Sequence, residues 1–163
     1  MNTSSSVGPK QALVLFSYRS HKRGYIEMLF ERLQAASSER NLRLSRGSLS
    51  DMRITIKDNK LSIVEALTGK DLVEFDVTYF ELWYKAQQQA LAAALYLQRH
   101  NKAFFSRELL TLPPLTKVGE LAVLADQGVP IPDSFISNHR QIKQCFKNQP
   151  PIEFPLILKA ADG

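Results

Sequence analysis

Five consecutive apolar residues, Ala12-Leu13-Val14-Leu15-Phe16, predict a strand buried on both faces. A polar, basic connection over 17–24 follows, and then Ile26, Leu29, Phe30 and Leu33 recur at helical spacing. This is the β-loop-α opening of a parallel sheet. Leu42 and Leu44 mark a short second strand. Met52, Ile54 and Ile56 alternate, Lys57-Asp58-Asn59-Lys60 turns, and Leu61, Ile63 and Val64 return. Asp and Asn tolerate positive φ, so a tight hairpin is predicted. A turn at Thr68-Gly69-Lys70-Asp71 leads into a second core strand over 73–80. Residues 84–99 are rich in Ala, Gln and Leu, which predicts a helix ended by His100-Asn101. Ala103-Phe104-Phe105 then returns to the sheet.

The texture changes at Leu112-Pro113-Pro114-Leu115. Adjacent prolines fit neither a central strand nor a helix interior, so a domain boundary is placed here. Val118, Leu121, Ala122 and Ala125 form the face of a helix closed by Gly128, a good left-handed terminator. Val129-Pro130-Ile131-Pro132 is a stiff connector, and Ser134-Phe135-Ile136 a short strand. Asn138 with Gln141 resembles a capping box opening a helix that carries Ile142, Cys145 and Phe146. Pro150-Pro151 ends that helix, and a last strand, Phe154-Pro155-Leu156-Ile157-Leu158, delivers Lys159. The predicted organisation is a flexible tail over 1–9, an α/β domain over 10–113 and a second unit over 114–163.

Composition narrows the function classes. At 163 residues and 44% hydrophobic, the chain can bury one substantial core. A net charge of +5 and a pI near 9.4 suit small anions such as nucleotide phosphates. Neither a basic arm nor an Arg/aromatic module points to nucleic acid. The single cysteine, Cys145, excludes an internal disulfide and a cysteine-rich zinc site. His21, His100 and His139 lack ligand spacing, so no metal site is expected. No G-x-G-x-x-G is present, which disfavours a dinucleotide site. The start lacks the apolar stretch of a secretory signal, and no segment approaches the ~20 apolar residues of a spanning helix. A cytoplasmic protein with no membrane partner is expected.

From Lys117 to Pro132 the chain resembles the entry to an ATP-grasp domain. A lysine opens a helix, Gly128 closes it, and Gly128-Val129-Pro130-Ile131-Pro132 leads to a strand, a helix and a strand ending in a second lysine, Lys159. The ordered set is more specific than any one piece. The upstream part is similar to the pre-ATP-grasp domain of carboxylate–amine ligases, nearest to the glutathione synthetase and ribosomal-protein glutamate ligase branch. An aspartate such as Asp76 is common on a later strand of that domain. At Ala160 many relatives have proline instead. The resemblance implies a small, mainly parallel pre-ATP-grasp sheet flanked by helices, followed by the first α-β-α-β elements of an ATP-grasp domain. It also implies a parent ligase that uses ATP and Mg²⁺ to join a carboxylate to an amine through an acyl phosphate. The adenine hinge, the phosphate-covering loop and the Mg²⁺-binding acids of relatives lie downstream. These 163 residues are therefore expected to bind without turning over.

The resemblance makes Lys117 and Lys159 the two phosphate-facing cations and Gly163 the first glycine of the phosphate loop. Read alone, Lys117 is a solvated lysine near a helix start, where the dipole disfavours it, and Lys159 a strand-end lysine snorkelling to water. Arg19 and Arg23 lie in the loop after the first strand, on the edge where open α/β sheets take ligands. Either could hold a substrate carboxylate bidentately; the plainer reading is a solvated loop. Asp76 fits either substrate orientation or a bond to nearby backbone.

Overall fold

The computed structural model describes residues 8–17, 23–148 and 151–153. The order is β1 (Lys10–Phe16), α1 (Arg23–Ser38), β2 (Leu42–Ser48), β3 (Arg53–Lys57), β4 (Lys60–Val64), β5 (Val77–Glu81), α2 (Gln87–Arg99), β6 (Ala103–Phe104), α3 (Lys117–Asp126), β7 (Ser134–Ile136) and α4 (His139–Asn148). A parallel sheet has the order β2-β1-β5-β6, and an antiparallel sheet the order β4-β3-β7. The chain is α/β. β1 pairs with β2 along its length and with β5 over Ala12–Phe16, which explains its unbroken apolar run.

The alternation within that run assigns the two faces. Val14 and Phe16 pack with Ile26, Leu29 and Leu33 of α1. Leu13 and Leu15 belong to the larger core with Phe80, Phe104 and the alanines of α2. Helices thus cover opposite faces, and the connections reverse direction between β1 and β5. The hairpin contributes Ile54, Ile56 and Ile63 to the larger core, and α3 contributes Val118, Ala122 and Ala125. Residues on both sides of the proline pair at 113–114 therefore share one apolar interior. Asp58 and Asn59 form the hairpin turn at φ 50° and 58°, the positive values these residues accept.

Two boundaries differ from expectation. The strand predicted over 73–80 begins only at Val77, because Leu72–Glu74 forms a 3₁₀ turn. Asp71 caps it by accepting from Val73 N (3.0 Å), while Glu74 accepts from Asp71 N (2.8 Å). This reciprocal cap satisfies donors that an extended strand would leave to a neighbour. The helix predicted from 84 begins at Gln87, since Leu82 turns the chain at φ 51° and Trp83–Lys85 is a separate 3₁₀ turn. The helix ending at Gly128 is as expected: Gly128 adopts φ 73°, with Gly128 N bonded to Ala125 O (3.1 Å) and Val129 N to Leu124 O (2.9 Å). Among the described residues, no helix is long and apolar enough to cross a membrane.

Candidate functional site

The connections reverse direction between β1 and β5, the switch point at whose carboxyl edge open α/β folds hold ligands in a crevice. Ser17 follows β1 there. It is 1% exposed, its hydroxyl has no hydrogen-bond partner among the described residues, and its carbonyl accepts from Ser50 N (3.1 Å). An unpaired buried hydroxyl costs stability, and Thr78 and Thr116 carry others of the same kind among the described residues. Ser48 and Ser50 share a hydroxyl–hydroxyl bond of 3.0 Å. Behind them Glu65, wholly buried, accepts from Ser48 N (3.3 Å) and Thr68 N (2.7 Å) and fixes the end of β2. Gly47 makes that approach possible, because a Cβ there would lie 2.6 Å from the Glu65 Cγ. On the β5 side, Leu82 holds a left-handed conformation that a leucine adopts at a cost.

Elements from the second half reach the same edge. Asn138 donates to Ser50 O (2.7 Å) and Asp51 Oδ1 (2.7 Å), and its own Oδ1 accepts from Gln141 N (3.0 Å). The expected cap of α4 is present, and the same side chain ties the start of α4 to the end of β2. Gln88, in the first turn of α2, accepts from Leu115 N (2.9 Å) and Thr116 N (3.4 Å) and donates to Pro113 O (3.1 Å). At the other end, Arg99 donates to Ala125 O (3.0 Å) and Asp126 O (3.3 Å). These ties make α2 and α3 run parallel. The starts of α1, α2, α3 and α4 thus gather around the carboxyl edge. The first turns of α1, α2 and α4 hold no acidic residue, so their positive dipole ends are not offset there by an acid of their own.

Lys117, the first residue of α3, stands at this edge. Its side chain is 68% exposed and pairs with Glu120 on the next turn. The anion that a lysine at a helix start calls for is therefore supplied, in this conformation, by its own helix. Arg23 opens α1 at the same edge. The side chain of Arg23, together with Arg19, Lys159 and Gly163, lies outside the described residues, so the predicted convergence of Lys117 and Lys159 does too. Asp76 is at the opposite end of the sheet and accepts from Gln11 N (2.7 Å), the plainer of its two expected roles. Among the described residues no group of three or more His, Cys, Asp and Glu side chains could hold a metal. The serines and Asn138 were not legible as a site, because the long-range bonds that join them have no sequence spacing.

A polar network borders the crevice on the α1 face. Glu81, the last residue of β5, accepts from Tyr79 (2.8 Å) and, at 3.5 Å, from Tyr25. The bond to Glu81, then partial burial and the Glu81 charge, push the Tyr79 hydroxyl up to about 12. Tyr96, elsewhere in the core, is raised further by burial first and then by its bonds to Asp71. Comparison with protein families, curated proteins and solved structures returned no match to this chain.

Proposed function

We propose that this chain is the N-terminal part of an ATP-dependent carboxylate–amine ligase. Residues 10–113 form the substrate-side α/β unit, and residues 114–163 begin the nucleotide-binding unit. In the proposed reaction a substrate carboxylate oxygen attacks the γ-phosphorus of ATP and expels ADP, giving an acyl phosphate. An amine nitrogen then attacks the acyl carbon, phosphate leaves, and an amide forms. Preorganised cations and backbone donors serve such a transfer by meeting charge on the phosphoryl oxygens.

One observation carries most of the support. α3 lies parallel to α2, so that Lys117 starts at the same carboxyl edge as the Ser17 hydroxyl, which is unpartnered among the described residues, while the Gly-Val-Pro-Ile-Pro connector leaves from the other end of α3. The starts of α1, α2 and α4 around that edge, with no acid in their first turns, favour an anion. Lys117 reaches phosphate by exchanging Glu120 for it, which its exposure permits. The metal-binding acids belong downstream by the resemblance, and no step is assigned to a metal on the residues described.

A second reading is a non-catalytic ligand-binding module on the same edge. The pairing of Lys117 with Glu120 favours it, since a lysine already satisfied on its own helix need not serve a nucleotide. Calorimetric titration of ATP, with and without Mg²⁺, separates the two. Under the ligase reading ATP binds without turnover, and Lys117→Ala weakens it about tenfold, roughly 1.4 kcal/mol. Unaltered affinity in Lys117→Ala, or no ATP binding at all, rejects the ligase reading.

A further inference from the structure

A hollow of about 460 Å³ lies at the other end of α2, lined by Gln98, Asn101, Lys102, Ala103 and Arg107. The 13 residues of α2 separate it from the crevice by roughly 20 Å. The Arg107 guanidinium stacks on the buried Phe104 ring at 4.2 Å from its centroid. Stacking holds the guanidinium plane and leaves its N–H edges available. Neither Arg107 nor Lys102 forms a side-chain hydrogen bond or an ion pair with another described residue.

The plain role for cations at a helix end is to satisfy its last carbonyls. Here backbone already does so: His100 N bonds to Tyr96 O (3.2 Å), Lys102 N to Leu97 O (2.9 Å) and Asn101 N to Gln98 O (3.0 Å). Asn101 takes φ 54° to permit this. The side chains of Gln98, Asn101 and Lys102 are left over from the cap and line one concavity with the Arg107 guanidinium. Two cations match an oxyanion. Two carboxamides, each both donor and acceptor, match hydroxyl groups beside it. The hollow is wide open to solvent on one side, and its volume exceeds what a lone phosphate fills.

We propose that this hollow is a binding site for a small hydroxylated phosphate monoester, separate from the crevice at the carboxyl edge. Arg107 grips the phosphate edge-on, Lys102 adds charge, and Gln98 and Asn101 read the hydroxyls.

The test is an amide-resolved NMR titration of the whole chain with glycerol phosphate, inorganic phosphate and sodium chloride at matched ionic strength. Saturating shifts over residues 98–107 are expected, with glycerol phosphate bound at least about threefold more tightly than inorganic phosphate. Arg107→Ala is expected to weaken it about tenfold, and Lys102→Gln, which disturbs no ring contact, about threefold. Lys117→Ala leaves these shifts unchanged, so failure here is distinct from failure of the ligase reading. Non-saturating shifts equal to those of chloride, or equal affinity for the two phosphates, overturn the proposal. So does an Arg107→Ala protein with a lowered urea midpoint but unaltered binding, which would make Arg107 a helix-end residue only. If Arg107→Ala does not fold, unaltered binding in Lys102→Gln is decisive against it.

Discussion

Tyr79 and Glu81 show how one contact alters a residue's chemistry. Tyr79 is 37% exposed, yet its hydroxyl donates to a carboxylate two residues along the same strand face. The carboxylate stabilises the neutral phenol, and ionisation would set two negative charges side by side. Tyrosinate absorbance should therefore show a late component with a midpoint near 12. Glu81→Ala should return that component towards the ordinary value of about 10, and an unmoved midpoint would refute the assignment. The sign for stability follows from linkage. The folded value lies above the unfolded one, so the contribution is present at neutral pH and is lost as pH rises from about 10 through 12. Tyr96, also raised, acts in the same direction. Urea midpoints should fall over that alkaline range, less steeply in Glu81→Ala.

At the scale of elements, the join between α2 and α3 depends on a residue without a side chain. A Cβ at Gly119 would collide with the Gln88 amide oxygen and lie 3.1 Å from the Pro114 Cα. Gly119 thus lets the helices approach closely enough for Gln88 to bridge Pro113, Leu115 and Thr116. Gly119→Ala should cost about 1–3 kcal/mol through overpacking, and Gln88→Ala about 1–3 kcal/mol through orphaned N–H groups. Truncating Gln88 removes the atoms that the added methyl group would strike, so the double variant should lose less than the two single losses together. Strict additivity in urea denaturation would show that the contact does not couple the helices. The sequence revealed each helix here but not their contact. Local signals were legible where the chain acts on itself: Asp58-Asn59 in the hairpin, Gly128 as a terminator, Asn138 before α4. Asp71 and Glu74 were as readable by the same rule, yet Val73 and Phe75 suggested a strand, and the cap prevailed. Ser17, Ser50 and Asn138 come from three distant segments, and only the assembled sheet edge makes them neighbours.

For the whole molecule, the question is whether the proline pair at 113–114 separates two folding units. The prolines stop secondary structure locally, but the apolar contacts pass over them. Val118, Ala122 and Ala125 lie in the core that holds Leu13, Leu15 and the hairpin isoleucines, and β7 extends the hairpin sheet through β3. Removing α3 would uncover α2 along a side that is otherwise buried. Cooperative unfolding follows when one core is shared, because no part can open without exposing the others. The single tryptophan, Trp83, packs on that core between β5 and α2 and so reports on the first half. Far-ultraviolet circular dichroism reports on the helices of both halves. Under urea the two signals should trace one coincident transition. If helical signal falls first while Trp83 emission holds, residues after 113 open independently, and the shared core does not bind the halves into one unit. Coincidence would mean that any ligand gripped by α3 draws on the stability of the sheet itself, so tightening at the crevice should raise the single midpoint rather than split it.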